Sequence, residues 1–245
     1  MPVDTPVIVA VAGEDRAHFD VVSKLMDRMV HEQRPWTVGN LEVLRTWLAC
    51  GDRPWFSFKD AVRRAKAEKL RFHGKFGDAA GLPDAQMARA QLAMWKNHVD
   101  RGHKLDAVVL ARDLDGRPTR RDGLLQAVTN EPWPFAVLVA WCQPEAEAWY
   151  ICAFAACDDA EHKRLAEIER TLELSPIHAA ERLTSTAPDP RRDAKRVLAQ
   201  LTADDHERRE RCLAAPLDHL RTRGPHTGLT AFLSEVEAKY LPLWG

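Results

Sequence analysis

Three valine-rich apolar runs constrain the fold of this chain more than any other feature. Residues 6–12 read PVIVAVA, residues 105–111 read LDAVVLA and residues 135–141 read FAVLVAW. Because these runs show almost no polar alternation, they are typical of strands buried on both faces of a parallel sheet. Helical periodicity lies between them, most clearly over residues 17–29 and 83–102. The sequence therefore predicts an α/β protein in which helices flank a parallel sheet.

The remaining segments divide this α/β core from a helical tail. Residues 1–156 are expected to form the core, with a tryptophan-rich insertion around residues 31–81. Within the insertion, residues 58–69 predict a basic amphipathic helix and residues 70–76 a short strand. Residues 157–245 predict an all-helical C-terminal extension that serves as a lid or brace. Its helices are expected over residues 158–174, 175–187, 189–201, 205–220 and 229–240.

Acidic residues follow each of the three predicted strands. Glu14 follows the first run, Asp113 and Asp115 follow the second within RDLDG, and Glu145 and Glu147 follow the third. The carboxyl ends of parallel strands meet at one edge of a sheet, where α/β proteins bind ligands. Carboxylates held close together repel one another unless a proton or a cation lies between them, and Mg²⁺ prefers oxygen ligands. The alternative for RDLDG alone is a turn whose Asp side chains cap backbone amides, but the shared edge favours a metal site.

Composition limits the classes of partner. The net charge of −1 gives no overall attraction to nucleic acid or membrane, so any basic surface must be local. No apolar run reaches the roughly 20 residues of a membrane helix, and the N-terminus lacks the basic leader of a signal peptide. The five cysteines form no CxxC pair, which favours reduced thiols and a cytoplasmic location.

The order of the acids resembles the TOPRIM domain. VAGED after the first strand, RDLDG after a central strand and PEAEAW after the next carry the resemblance, which covers residues 6–156. It is strongest toward the stand-alone TOPRIM-like proteins of bacterial defence loci and the TOPRIM half of OLD-family nucleases. The resemblance implies a Mg²⁺- or Mn²⁺-dependent endonuclease that cleaves DNA or RNA, acts in antiviral defence and works with a partner ATPase.

The resemblance also assigns roles to individual residues. It places Glu14 beside the scissile phosphate as a metal ligand or general acid/base, and it makes Asp113 and Asp115 metal ligands. Glu145 or Glu147 would complete a second metal site. Lys195 is the candidate for the lysine that OLD-like nucleases use. His18 stands where nuclease members often carry a second acid, and it is either a metal ligand or proton relay, or a surface histidine on a helix.

Arginines flank the central acidic pair. They could hold the phosphates of a DNA or tRNA backbone, which arginine binds through two parallel hydrogen bonds, or they could simply neutralise the acids by ion pairing. The four residues are Arg112, Arg117, Arg120 and Arg121.

Two other functions compete with the nuclease. DLDG also resembles the nucleophile motif of HAD-type phosphotransferases, with Asp113 as nucleophile and Asp115 as acid/base, although Arg117 stands where a threonine or valine usually follows the glycine. A TOPRIM-like core can also be a non-catalytic sensor or docking subunit of an ATPase complex. The chain has no Walker motif of its own, so an ATPase would have to be a partner, and exposed tryptophans would offer it a surface. The oligomeric state stays open, a homo-oligomer included.

Overall fold

The structure is a computed structural model, and it describes residues 5–72, 75–185 and 190–245. Its strands are β1 (Val7–Gly13), β2 (Arg45–Trp47), β3 (Phe56–Ser57), β4 (Lys75–Phe76), β5 (Ala79–Ala80), β6 (Ala107–Asp113) and β7 (Ala136–Cys142). Its α-helices are α1 (Arg16–Gln33), α2 (Leu41–Leu44), α3 (Phe58–Ala67), α4 (Ala85–Asp100), α5 (Thr119–Thr129), α6 (Glu147–Ala153), α7 (Asp159–Leu172), α8 (Ala194–Thr202), α9 (His206–Cys212), α10 (Leu217–Arg223) and α11 (Leu229–Glu235). Shorter helical turns occupy Pro35–Thr37, Ala180–Arg182, Pro190–Arg192, Val236–Tyr240 and Leu241–Trp244.

The main sheet has the strand order β2-β1-β6-β7, and β3 also pairs with β1. All the described pairings of β1, with β2, β3 and β6, are parallel. Val9, Val11 and Leu110 are fully buried, as expected for strands covered on both faces. The predicted α/β class is therefore confirmed: helices flank a parallel sheet, and further helices follow toward the C-terminus.

The tryptophan-rich insertion differs from its prediction in one respect. The strand predicted over residues 70–76 does not join the main sheet: residues 70–72 carry no regular structure, and residues 73–74 lie outside the described part. Lys75–Phe76 instead pairs antiparallel with Ala79–Ala80 in a separate hairpin. The insertion supplies the main sheet with β2 and β3, while the predicted basic helix is confirmed as α3.

The chain divides into two compact units, and the division does not follow the predicted boundary after residue 156. The first unit contains the described residues up to Arg112, together with Arg117–Ala140 and Ser234–Gly245. The second contains Asp113–Gly116 and the described residues of Trp141–Leu233. The residues of the second unit thus interrupt the first unit at two places in the sequence.

In the first unit, side chains of the C-terminal segment bind the backbone of β7. A carboxylate oxygen of Glu235 accepts a hydrogen bond from the Val139 amide at 2.7 Å, and the Lys239 ammonium donates to the Val137 carbonyl at 2.9 Å. These side chains satisfy backbone groups along β7, the last strand in the sheet order. Tyr240 is fully buried. Residues 234–245 therefore brace β7 and cover a strand edge that would otherwise be exposed, whereas the sequence predicted a lid or brace over all of residues 157–245.

In the second unit, every residue of α6 is buried, so this helix forms the centre of the core. The Trp149 indole donates to the Thr227 carbonyl at 2.8 Å and stacks on Phe232 with ring centroids 5.4 Å apart. In this unit, a 3-10 turn at Ala180–Arg182 is the only helical piece in the described part of the predicted helix 175–187, whose last two residues lie outside that part.

Two other predicted helices are interrupted. The helix predicted over residues 205–220 is divided into α9 and α10, because Pro216 cannot donate the backbone hydrogen bond of a helix interior. The helix predicted over residues 189–201 begins with a 3-10 turn at Pro190–Arg192, while residue 189 lies outside the described part. In the described residues, no helix is both long enough and apolar enough to cross a membrane.

Candidate functional site

The predicted site residues fall into both units. Glu14 and the four flanking arginines belong to the first unit, whereas the other acids and the lysine belong to the second. The residues of the second unit are Asp113, Asp115, Glu145, Glu147 and Lys195.

The RDLDG turn is fixed by its backbone. The Leu114 amide donates to the Cys142 carbonyl at 2.8 Å, and the Asp115 amide donates to the Pro144 carbonyl at 2.9 Å. Asp115 and Gly116 have φ angles of +49° and +70°, so the chain turns sharply through the left-handed region. These contacts join the end of β6 to the segment that precedes α6. The Asp113 and Glu145 motifs of the sequence are therefore brought to one place in the second unit.

The Asp113 carboxylate has a structural contact as well as a candidate role. Its Oδ1 accepts a hydrogen bond from the Ala146 amide at 2.9 Å, at the start of α6. This is the capping interaction that the sequence left open as the alternative to a metal site. Because a carboxylate has two oxygens and about four lone pairs, one capping contact is compatible with metal ligation.

Glu145 and Glu147 lie at the same helix start, and burial dominates their chemistry. Glu145 is only 2% exposed, and burial, the neighbouring Glu147 and Asp113 raise its pKa to about 7. Burial also raises the pKa of Glu147, with Asp113 adding to the effect. The acids of this cluster therefore hinder one another's ionisation, which is the behaviour expected when carboxylates converge without a cation of matching charge.

Lys195 supplies part of that missing charge. Its ammonium lies 3.2 Å from Oε2 of Glu145. Burial works against the charge of Lys195, but Glu147, Glu145 and Asp113 outweigh it and raise the pKa of the lysine. Asp193 accepts from the Arg196 amide and so caps α8, which fixes the first turn that carries Lys195. The predicted lysine, Lys195, is thus ion-paired with Glu145, one of the predicted acids.

A cavity of about 420 Å³ opens beside Glu147 and Lys195 in the second unit. Its wall includes Arg196, Arg209 and His206, none of which the sequence singled out. Arg209 lies 3.8 Å from a Glu147 oxygen and over the Tyr150 ring at 4.6 Å. Sequence alone gave no signal for Arg209, because it belongs to the uniformly charged run HERRER.

In the first unit, Glu14 is paired with arginine. Arg112 contacts the Glu14 carboxylate and also donates to Asp84 at 2.8 Å, while Arg120 lies 3.6 Å from the same Asp84 oxygen. Asp84 was not predicted, and it has a left-handed φ of +67° directly before α4. The result is a chain of alternating charges, Glu14, Arg112, Asp84 and Arg120.

This network bears on the prediction that Arg112 binds phosphate. Arg112 is 7% exposed and engaged by two carboxylates, so a phosphate backbone cannot reach it without breaking these pairs. For Arg112 the ion-pairing alternative describes the structure, and Arg120 shares in the same network. Arg117 is exposed and Arg121 lies 3.0 Å from Asp122 at a half-exposed position, so their contact with phosphate stays a prediction.

His18 is not a surface histidine. It is buried, and its Nδ1 lies 3.1 Å from a carboxylate oxygen of Asp15, the residue that caps α1. The hydrogen bond with His18 lowers the pKa of Asp15 to about 2. A Cβ at Gly13 would lie 2.8 Å from the His18 Cβ, so the glycine of the VAGED motif is required for this close approach.

Comparison with known proteins does not assign the chain to a family. No protein-family model, no curated protein and no solved structure matches it. The TOPRIM resemblance therefore stays a prediction from the motifs.

Proposed function

We propose that this chain is a divalent-metal-dependent phosphodiesterase that acts on nucleic acid, with its metal held in the second unit. The observation that carries the proposal is the convergence of Asp113, Glu145 and Glu147 on the start of α6, where burial and mutual repulsion raise the pKa of both glutamates. Acids with perturbed pKa values, one of which lines a cavity, are typical of functional sites.

The donor chemistry of three carboxylates suits Mg²⁺ or Mn²⁺, and in the metal-free chain their oxygens do not all lie within 4.8 Å of one another. Carboxylate oxygens are the ligands these hard cations prefer. In the described part of the chain, Oε1 of Glu145 is buried and has no hydrogen-bond partner, so it is an orphaned acceptor of the kind that a cation satisfies. We assign Asp113, Glu145 and Glu147 as the metal-holding residues. Asp115, whose amide fixes the turn, positions Asp113.

A divalent ion in such a site supplies an activated water and charge stabilisation for a phosphodiester. The chain's own residues do the rest. The ammonium of Lys195 stays protonated because the surrounding acids raise its pKa, so this lysine binds phosphate oxygens rather than abstracting a proton. Because its pKa is raised to about 7, Glu145 is partly protonated near neutral pH in the metal-free protein, and it would have to lose that proton to hold a metal. Arg209, beside Glu147, adds a second cation at the cavity wall.

The finer description follows from the resemblance and is part of the proposal. We propose an endonuclease of DNA or tRNA that works in bacterial defence, in the cytoplasm, with a partner ATPase. Support for a partner surface comes from the first unit, where Trp36, Val38 and Val43 are exposed within a short stretch of the tryptophan-rich insertion.

The test measures metal binding and cleavage separately. Purified wild-type chain is titrated with Mn²⁺ by calorimetry and incubated with supercoiled plasmid or with tRNA, in Mg²⁺, in Mn²⁺ and in EDTA. We expect metal-dependent cleavage. We also expect Asp113→Asn and Glu145→Gln to weaken Mn²⁺ binding by at least about tenfold and to abolish cleavage. Asp218→Asn is the matched control, because this carboxylate of the second unit is 93% exposed.

The outcomes separate the alternatives. Cleavage by Asp113→Asn at the wild-type rate contradicts the site. Mn²⁺ binding without cleavage of either substrate favours the non-catalytic docking subunit, and hydrolysis of a chromogenic phosphate ester favours the HAD-like phosphotransferase. Glu14→Gln in the same assay tests the role that the resemblance gives to Glu14: unchanged cleavage removes it from the site. Circular dichroism and thermal unfolding confirm that each variant is folded.

A further inference from the structure

A second cavity in the second unit is lined by arginines. It has a volume of about 390 Å³ and lies against α7 and α8 and the 3-10 turn before α8. Arg164 comes from α7, Arg196 from α8 and Arg191 from the turn. One carboxylate, Glu167, lines the same cavity, and it lies 3.9 Å from Arg170. The lining residues therefore carry a net positive charge, and another cavity of the same unit is lined by Glu147, one of the proposed metal-holding acids.

The lining combines cations with an apolar floor. Ile168 and Leu172 are buried at the base, while Arg191 and Arg196 are exposed at the rim. Nε of Arg164 is buried and has no hydrogen-bond partner among the described residues, while its Nη2 lies 3.5 Å from the Leu201 carbonyl and 3.9 Å from a Glu161 oxygen. Arginine forks suit phosphate oxygens, and an apolar surface suits the face of a ribose or base. The volume is in the range of small-ligand sites, which begins at about 300 Å³.

One side chain connects this cavity to the candidate site. Arg196 lines the arginine cavity and also lines the cavity that contains Glu147 and Lys195. A ligand bound in the cavity of Glu147 and Lys195 therefore contacts Arg196, which also lines the cavity that contains Arg191. A nucleic acid strand has charged phosphates at regular spacing, whereas a mononucleotide would fill only one of the two cavities.

We propose that the arginine cavity is the subsite for a neighbouring nucleotide of a single strand whose scissile phosphate lies at the acid cluster. The proposal rests on the proposed function for the position of the scissile phosphate. The cavity itself is defined by Arg164, Arg191 and Arg196 alone. Its chemistry is that of a nucleoside phosphate, and the two sources to be distinguished are a strand and a free mononucleotide.

Binding without metal tests this subsite. A 12-nucleotide single strand, as DNA and as RNA, carries a fluorescent label and is titrated with the chain in EDTA while polarisation is recorded. We expect Arg191→Ala/Arg196→Ala to weaken binding about tenfold and to reduce the dependence of log Kd on log salt by about one unit or more. Both positions are exposed, so the double variant should fold. Arg170→Ala is the control, because Arg170 lies on α7 like Arg164 but is 79% exposed and does not line the cavity.

The results decide both the subsite and its source. Equal affinity of the double variant and the wild type overturns the proposal, as does an equal loss in Arg170→Ala. Competition by AMP more strongly than by unlabelled strand overturns the assignment to a strand. If the wild type cleaves nothing but binds the strand through Arg191 and Arg196, the proposed function fails and the subsite stands. If the chain cleaves nucleic acid but the double variant binds the strand as tightly as the wild type, the proposed function stands and the subsite is overturned.

Discussion

Replacing Glu145 by glutamine should stabilise the metal-free protein, and the size of this effect depends on pH. In the folded chain the pKa of Glu145 is raised from 4.5 to about 7, first by burial and then by Glu147 and Asp113. Well below pH 4.5 the carboxyl is protonated in both the folded and the unfolded chain, so it does not change the free energy of unfolding. As the pH rises toward 7, the unfolded chain gains stability by ionising, while the folded chain cannot. The folded state therefore becomes less stable across this window.

The magnitude follows from the size of the pKa difference. Each unit is equivalent to about 1.4 kcal/mol, so the wild-type penalty is about 3 kcal/mol at pH 8 and below about 1 kcal/mol at pH 5. Glutamine has nearly the same shape and carries no charge at any pH. The gain in unfolding free energy for Glu145→Gln should therefore be larger at pH 8 than at pH 5 by about 2 to 3 kcal/mol.

Urea unfolding in EDTA, followed by tryptophan fluorescence at pH 5 and pH 8, measures this difference. Asp218→Asn serves as the control, and its unfolding free energy should change equally at both pH values because its carboxylate is 93% exposed. A Glu145→Gln variant that is destabilised at pH 8, or that gains the same amount at both pH values, refutes the reasoning. If the proposed metal site is correct, Mn²⁺ at pH 8 stabilises the wild type and has little effect on the variant.

Two further predictions concern structural contacts. Arg208→Met should lower the unfolding free energy by about 3–5 kcal/mol, because Arg208 donates to both oxygens of the buried Glu161. In urea unfolding, the double variant Glu161→Gln/Arg208→Met should recover part of that loss. A loss below about 1 kcal/mol for Arg208→Met contradicts a structural role for the pair. Gly123→Ala should lower the melting temperature by several degrees or prevent folding, because the added Cβ would lie 1.8 Å from the Pro83 carbonyl oxygen. A melting curve identical to that of the wild type would contradict the packing of α5 against Pro83.

Long apolar strands were predictable, and very short strands were not. The residues of β1, β6 and β7 form valine-rich runs whose burial on both faces needs no knowledge of their partners. β2 and β3 have only three and two residues, so no periodicity can reveal them. They form strands because their backbones hydrogen-bond to β1, and this pairing depends on residues distant in the sequence.

The candidate site was predictable to the extent that its residues follow strands. Asp113, Glu145 and Glu147 are gathered because the ends of β6 and β7 are joined by backbone hydrogen bonds in the second unit. The sequence could not show that Asp84 would engage Arg112, because that contact joins residues 28 positions apart through packing alone. The ion pairing of Arg112, which the sequence left open as the alternative to phosphate binding, is therefore visible only in the structure.

Because residues 234–245 are synthesised last, β7 can gain its contacts with them only at the end of translation. The Glu235 side chain that satisfies Val139 is 96 residues further along the chain. At about 5–20 residues per second, a ribosome needs roughly 5 to 20 seconds to make that interval. During this time β7 is complete but lacks the contacts from residues 234–245, and the nascent chain exposes a strand edge that other chains can join. A chain that stalls before Glu235 should therefore aggregate through β7, even when its second unit has already folded.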